Sequence, residues 1–156
     1  MSLRKLASES KIMEVELRYN GEKIKFHLGE ELKITQNQMA TEIKEQPKVY
    51  AFIAVLHKKL IIQYESLESE REKVFGKQYT FYKTSKNTKY YQEYHKPPSD
   101  DATKSLVLSS EKYTEHMTKL LAAKHDMLVI GSIVKAFEQK ADLIQTLSAN
   151  IRKEAL

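Results

Sequence analysis

Between Lys77 and Lys96 the chain interleaves five lysines with six aromatic rings and a single acid, Glu93. The lysines are Lys77, Lys83, Lys86, Lys89 and Lys96. The rings are Tyr79, Phe81, Tyr82, Tyr90, Tyr91 and Tyr94. Ammonium groups neutralise phosphates and release their counterions. Flat rings stack on bases, at roughly 1–3 kcal/mol per base with little sequence preference. Stacking needs an unpaired base, so the mixture points to a single strand rather than a duplex. Arg71 and Lys73 lie just upstream and extend the basic track. The candidate binding residues are therefore Arg71, Lys73, Lys77, Lys83, Lys86 and Lys89, with Tyr79, Phe81, Tyr82, Tyr90 and Tyr91 as the rings. The competing possibility is that the tyrosines are core and the lysines only solvate a surface. Tyr79 and Tyr82, three apart, would then pack inward at a helix end.

The distribution of charge favours the binding reading. The formal net charge is +5. Residues 1–46 hold eight Lys/Arg and eight Asp/Glu, and residues 100–156 again hold eight of each. Residues 47–76 hold five against four, and 77–99 hold five against one. A positive field concentrated in the middle of the chain suggests a polyanionic partner.

Other chemistries have little support. The chain has no cysteine, which removes disulfides, thiol nucleophiles and cysteine-ligated metal sites and fits a cytoplasmic setting. The five histidines, His27, His57, His95, His116 and His125, form no HExxH motif. His116 and His125 with Asp126 could meet a metal, and solvated surface histidines are the simpler expectation. There is no GxxxxGK[ST] loop, no GxGxxG and no nucleophile elbow. No enzymatic activity and no cofactor are expected. Arg4 and Lys5 precede no apolar run, so no signal peptide is expected, and Val49 to Leu56 is far too short to span a membrane.

The elements that must carry these residues are mainly α. At the N-terminus, Ile12–Tyr19 and Glu22–Leu28 alternate around Asn20-Gly21, a type I′ signal. That turn predicts a β-hairpin with Leu17 opposite Ile24, Val15 opposite Phe26, Met13 opposite Leu28 and Glu16 opposite Lys25. A short helix is predicted over 36–45. Pro47 then suits the first turn of a new helix running to the mid-70s, where its missing N–H costs nothing. The apolar positions of that helix are Ile53, Leu56, Leu60, Leu67 and Val74, with Gln63 and Glu70 as polar gaps. Gly76 is expected to end or kink it.

Residues 84–89 read as a loop and Pro97–Asp101 as a break. Ser109 or Ser110 should cap a last long helix, with Glu111 in its first turn. Its seam reads Leu120, Met127, Ile130, Val134, Phe137, Ala141, Ile144, Leu147 and Ile151, and Gly131 would mark a close helix crossing. The expected organisation is a hairpin and short helix over 1–46, then a helical binding and oligomerisation region over 47–156. Two long amphipathic helices would pack as an antiparallel pair and self-associate.

From Pro47 to Ile151 the chain resembles the UvsY-type recombination mediators of tailed phages. The likeness lies in the helix Lys48–Val74 ending in Glu70-Arg71-Glu72-Lys73, in the aromatic-basic turn Lys77–Lys83 with Phe81-Tyr82 resembling paired tyrosines, and in Val107-Leu108-Ser109-Ser110-Glu111 leading into the final helix. The resemblance implies a ring-like homo-oligomer that binds single-stranded DNA. It would contact a single-strand-binding protein and load a RecA-like recombinase onto strands coated by it. By position, the family's basic DNA-binding residues correspond to Arg71, Lys73 and Lys77; Lys83, Lys86 and Lys89 come from composition alone.

Overall fold

Alternating residues build the first element. The computed structural model describes residues 3, 5, 10–19 and 22–154. Strands β1 (Glu14–Tyr19) and β2 (Glu22–His27) form an antiparallel two-stranded sheet. Val15 pairs with Phe26, Glu16 with Lys25 and Leu17 with Ile24, as the alternation predicts. The Asn20-Gly21 turn lies outside the described residues. The expected Met13–Leu28 pair does not form. Met13 closes a 3-10 turn, Lys11–Met13, and Leu28 opens the single-turn helix α1 (Leu28–Glu31). On the outer face Glu16 meets Lys23 at 2.6 Å and Lys25 at 3.0 Å. These two ammonium groups hold its carboxyl at about 2. All three side chains are exposed, so the pairing orders the hairpin and adds little stability.

A 3-10 turn, Gln36–Gln38, leads into α2 (Met39–Thr84). The predicted break between 45 and 47 is absent: Pro47 lies inside one continuous helix. A proline there removes a hydrogen bond to the Ile43 carbonyl and costs about 3 kcal/mol in an unsupported helix. The turns on either side are held from outside. Glu42 reaches Lys140 at 2.7 Å, the Gln46 amide donates to the Phe137 carbonyl at 3.0 Å, and the Tyr50 hydroxyl donates to Glu138 at 2.9 Å. The seam of α2 thus begins before Pro47, at positions filled by polar side chains that hydrophobic periodicity does not register.

Gly76 likewise neither ends nor breaks the helix, which runs eight residues further. A Cβ added at Gly76 meets nothing within 4 Å. Gly76→Ala is therefore expected to raise stability by up to about 1 kcal/mol, through helix propensity and a less flexible unfolded chain. An upward shift of the urea midpoint at unchanged slope checks this; a downward shift would show that the glycine serves a contact.

Beyond α2 come α3 (Lys89–Tyr94), α4 (Asp100–Leu108) and α5 (Glu111–Glu154). Each start is capped by a hydroxyl: Thr88 accepts from the Tyr91 amide, Ser99 from the Ala102 amide and Ser110 from the Tyr113 amide. Ser110 is thus the cap of α5. Ser109 instead donates back to the Ser105 carbonyl at 2.9 Å.

The chain divides into two compact units, one of residues 1–58 with 128–156, the other of residues 59–127. In the first, Met39, Ile53 and Leu56 of α2 are buried with Ile130, Ile133, Phe137 and Ile144 of α5. The pairs Glu42–Lys140, Gln46–Phe137 and His57–Gly131 run in opposite directions along the two helices, which are antiparallel. Gly131 does mark a close approach: a Cβ there would lie 2.9 Å from His57 Nε2. Lys140 is buried at a seam position, where its ammonium also donates to the Glu31 carbonyl at 2.6 Å and ties α1 to α5. The far end of the predicted seam departs from expectation: Leu147 and Ile151 are exposed.

Within the second unit α2 and α5 are antiparallel as well: His116 lies against the Leu67 carbonyl, and the Tyr113 ring meets Phe75 edge-on at 5.9 Å. Here α4 supplies fully buried Thr103 and Val107, and α5 adds Leu120 and Ala123. Leu60, Leu67 and Val74 of α2 are half-buried. No helix among the described residues is long and apolar enough to cross a membrane.

Candidate nucleic-acid interface

All the sequence-predicted site residues fall in the second unit. Successive helical residues turn by about 100°, so side chains four apart share a face. Lys73, Lys77 and Phe81 follow this spacing and all are exposed. Arg71 does not join them. Its position points it well round the helix, into a shallow depression shared with Glu65 and Glu72, and its guanidinium bridges Glu68 at 3.1 Å.

At the end of the stripe α2 meets the start of α5. Lys77, Gln78, Phe81 and Tyr82 form one wall of a groove of about 450 Å³, and Ser110, Glu111 and Lys112 form the other. The groove continues past Lys77 and Lys112 into a hollow bordered by His116 and Lys119. His116 is buried and its Nε2 sits 2.9 Å from the Leu67 carbonyl, which makes it part of the wall. Phe81 is 48% exposed, and the Tyr82 ring braces it edge-on at 5.3 Å. An exposed ring supported from one side, between ammonium groups, offers a stacking surface for a base and counter-charges for its phosphates.

Two predicted contact residues are engaged inside the protein. The Lys83 ammonium donates to Asp100 at 2.6 Å and to the Pro98 carbonyl at 2.9 Å. The Tyr79 hydroxyl donates to the same Asp100 oxygen at 3.0 Å, and its ring stacks on Phe75 at 6.2 Å. Together they tie the start of α4 to α2. The physical reason is the break at Pro97-Pro98, which returns the chain and delivers an acid to the most basic segment.

Hydrogen bonds from Lys83 and then Tyr79 hold the Asp100 carboxyl below the usual carboxylate range, and Asp100 raises both partners. A carboxyl with a depressed folded pKa contributes stability above its unfolded pKa and loses it as the pH falls through the folded value. The tie should therefore persist at neutral pH and open only in acid. A carbon-13 titration of the Asp100 carboxyl is expected to give a midpoint below that of a free aspartate, and Lys83→Met should move it back up. A midpoint unmoved by Lys83→Met would disprove the pairing in solution.

Lys86 and Lys89 are exposed, one in the turn after α2 and one at the start of α3. Tyr90 and Tyr91 are half-buried. Tyr90 lies against Tyr94 at 4.7 Å, and Tyr94 is the more exposed ring, at 51%. Tyr94 is thus better placed for stacking than either predicted neighbour, and its i, i+4 spacing from Tyr90 was visible in the sequence. Lys112 and Lys119 were missed altogether. Seven residues apart, they were predictably on one face of a helix, but not on the face beside Lys77.

Among the described residues no group of three or more histidine, cysteine, aspartate or glutamate side chains could hold a metal ion. His116 lies on the Leu67 carbonyl, whereas His125 lies 3.4 Å from its neighbour Asp126. The chain matches no protein-family model, no curated protein and no solved structure.

Proposed function

We propose that this chain binds single-stranded DNA without catalysis and acts as a recombination mediator. The observation that carries the binding step is the Lys73–Lys77–Phe81 stripe, which opens into a groove shared with Lys112. Cations and an exposed ring are what an unpaired strand requires, and a duplex would leave the ring without a base to stack on. The mediator role, with a single-strand-binding protein and a RecA-like recombinase as partners, rests on the sequence resemblance of residues 47–151.

Self-association is part of the proposal. In the first unit Leu143, Leu147 and Ile151 recur every four residues on α5 and are all exposed, as is Ile43 of α2. Ile43, Ile144 and Ile151 border an open apolar cleft of about 880 Å³. Several copies held together would add weak strand contacts into a strong one through avidity. The same apolar residues favour a second reading, a helical scaffold that oligomerises and binds no nucleic acid.

Fluorescence anisotropy with labelled single-stranded and duplex DNA, beside a light-scattering mass, separates the two. The mediator reading expects preference for the single strand, with affinity falling as salt rises. An oligomeric mass with no salt-dependent strand binding would leave only the scaffold.

A further inference from the structure

Resting on that single-strand reading, we infer that Lys112 and Lys119 of α5 form a second cationic rail, so that the strand runs along the seam between α2 and α5 rather than over the tyrosine-rich loop alone. Both lysines are exposed. Lys112 borders the groove beside Phe81 and Tyr82 and also the adjoining hollow, and Lys77 borders both from the opposite wall. Lys119 lies at the far side of the hollow. One continuous path therefore leads from Phe81 between Lys77 and Lys112 to Lys119.

The dimensions suit a strand. Seven residues of helix separate Lys112 from Lys119 by about 10 Å, the rise of roughly three stacked nucleotides at 3.4 Å each. A base stacked on Phe81 would place successive phosphates within reach of Lys112 and then Lys119.

Charge sets the direction of the effect. Glu111 and Glu115 line the same path, and Glu115 accepts an ion pair from Lys119 at 3.6 Å. Three ammonium groups, those of Lys77, Lys112 and Lys119, thus face two carboxylates. A phosphate would displace Glu115 from Lys119. Glu115 acts as a brake on affinity, and removing its charge should tighten binding.

The test uses the full chain and a labelled oligothymidylate. Lys112→Gln/Lys119→Gln is expected to weaken binding about tenfold at low salt and to lower the slope of log K against log salt by about 1.4, from about 0.7 per phosphate contact. Lys104→Gln/Lys124→Gln removes the same charge from exposed positions of the same unit and should change affinity by less than about threefold. Glu115→Gln should tighten binding by a few-fold. An unchanged affinity in the groove double variant, or equal weakening by both double variants, overturns the rail while leaving strand binding intact. Failure of the unaltered chain to bind overturns the single-strand reading, and the rail with it.

Discussion

Phe137→Ala is expected to destabilise the protein by about 3–5 kcal/mol, the range for deleting a fully buried aromatic side chain. Phe137 is 1% exposed and lies where α5 packs on α2 in the first unit. Its carbonyl also accepts the Gln46 amide at 3.0 Å, at the residue just before Pro47, which interrupts the hydrogen bonding of α2. The cavity would form at the place where α2 most needs outside support. Domains of this size hold only about 5–15 kcal/mol in all, so the variant should lose a large part of its stability. Urea unfolding followed by circular dichroism measures it. Phe137→Leu keeps most of the volume and should lose much less. A loss under about 1 kcal/mol in the alanine variant would mean that the ring is not enclosed in solution.

The second large effect concerns the strand. Lys73→Glu/Lys77→Glu reverses two charges on the exposed stripe that runs to Phe81. A charge-assisted hydrogen bond contributes about 1.5–3 kcal/mol, so losing two and adding repulsion should weaken single-strand affinity on the order of a hundredfold. Both side chains are exposed, so the fold and its melting temperature should hardly change. Replacing Lys83, Lys86 and Lys89 together with glutamate is a poorer test. Lys83 holds Asp100 and the Pro98 carbonyl, and a glutamate there would set two acids against each other. Any loss of binding would then mix a lost contact with a displaced α4. Wild-type affinity in Lys73→Glu/Lys77→Glu, measured by anisotropy at low salt, would remove the stripe from the interface.

Local pattern was enough for those features whose partners are near in sequence. Alternation at 12–28 set the pairing of Val15 with Phe26 and Leu17 with Ile24, because a strand's side chains repeat every second residue. Ser109-Ser110 before Glu111 marked the start of α5, because a hydroxyl there satisfies an amide three residues on, and Ser110 is the one that does so. The seam through Ile130, Phe137 and Ile144 was legible as a seven-residue repeat of apolar side chains. Gly131 was legible as a crossing although its partner His57 is far along the chain, because a glycine within an apolar helical seam is itself a local sign of close approach.

What escaped the sequence depended on partners far along the chain. Pro47 carries a strong local signal to stop a helix, yet α2 passes through it. At Pro47 the flanking turns are held by Phe137, Glu138 and Lys140, about ninety residues away. Lys83 and Lys86 look alike in composition, but one is claimed by Asp100 and the other is exposed. Residue types, charge and period were present in the sequence from the start. Tertiary packing decided which lysines face solvent, which hold the chain together, and that Lys112 meets Lys77 across a groove. The reason is physical: a charge acts through space, and its neighbours in space are set by how the helices pack, not by its neighbours along the chain.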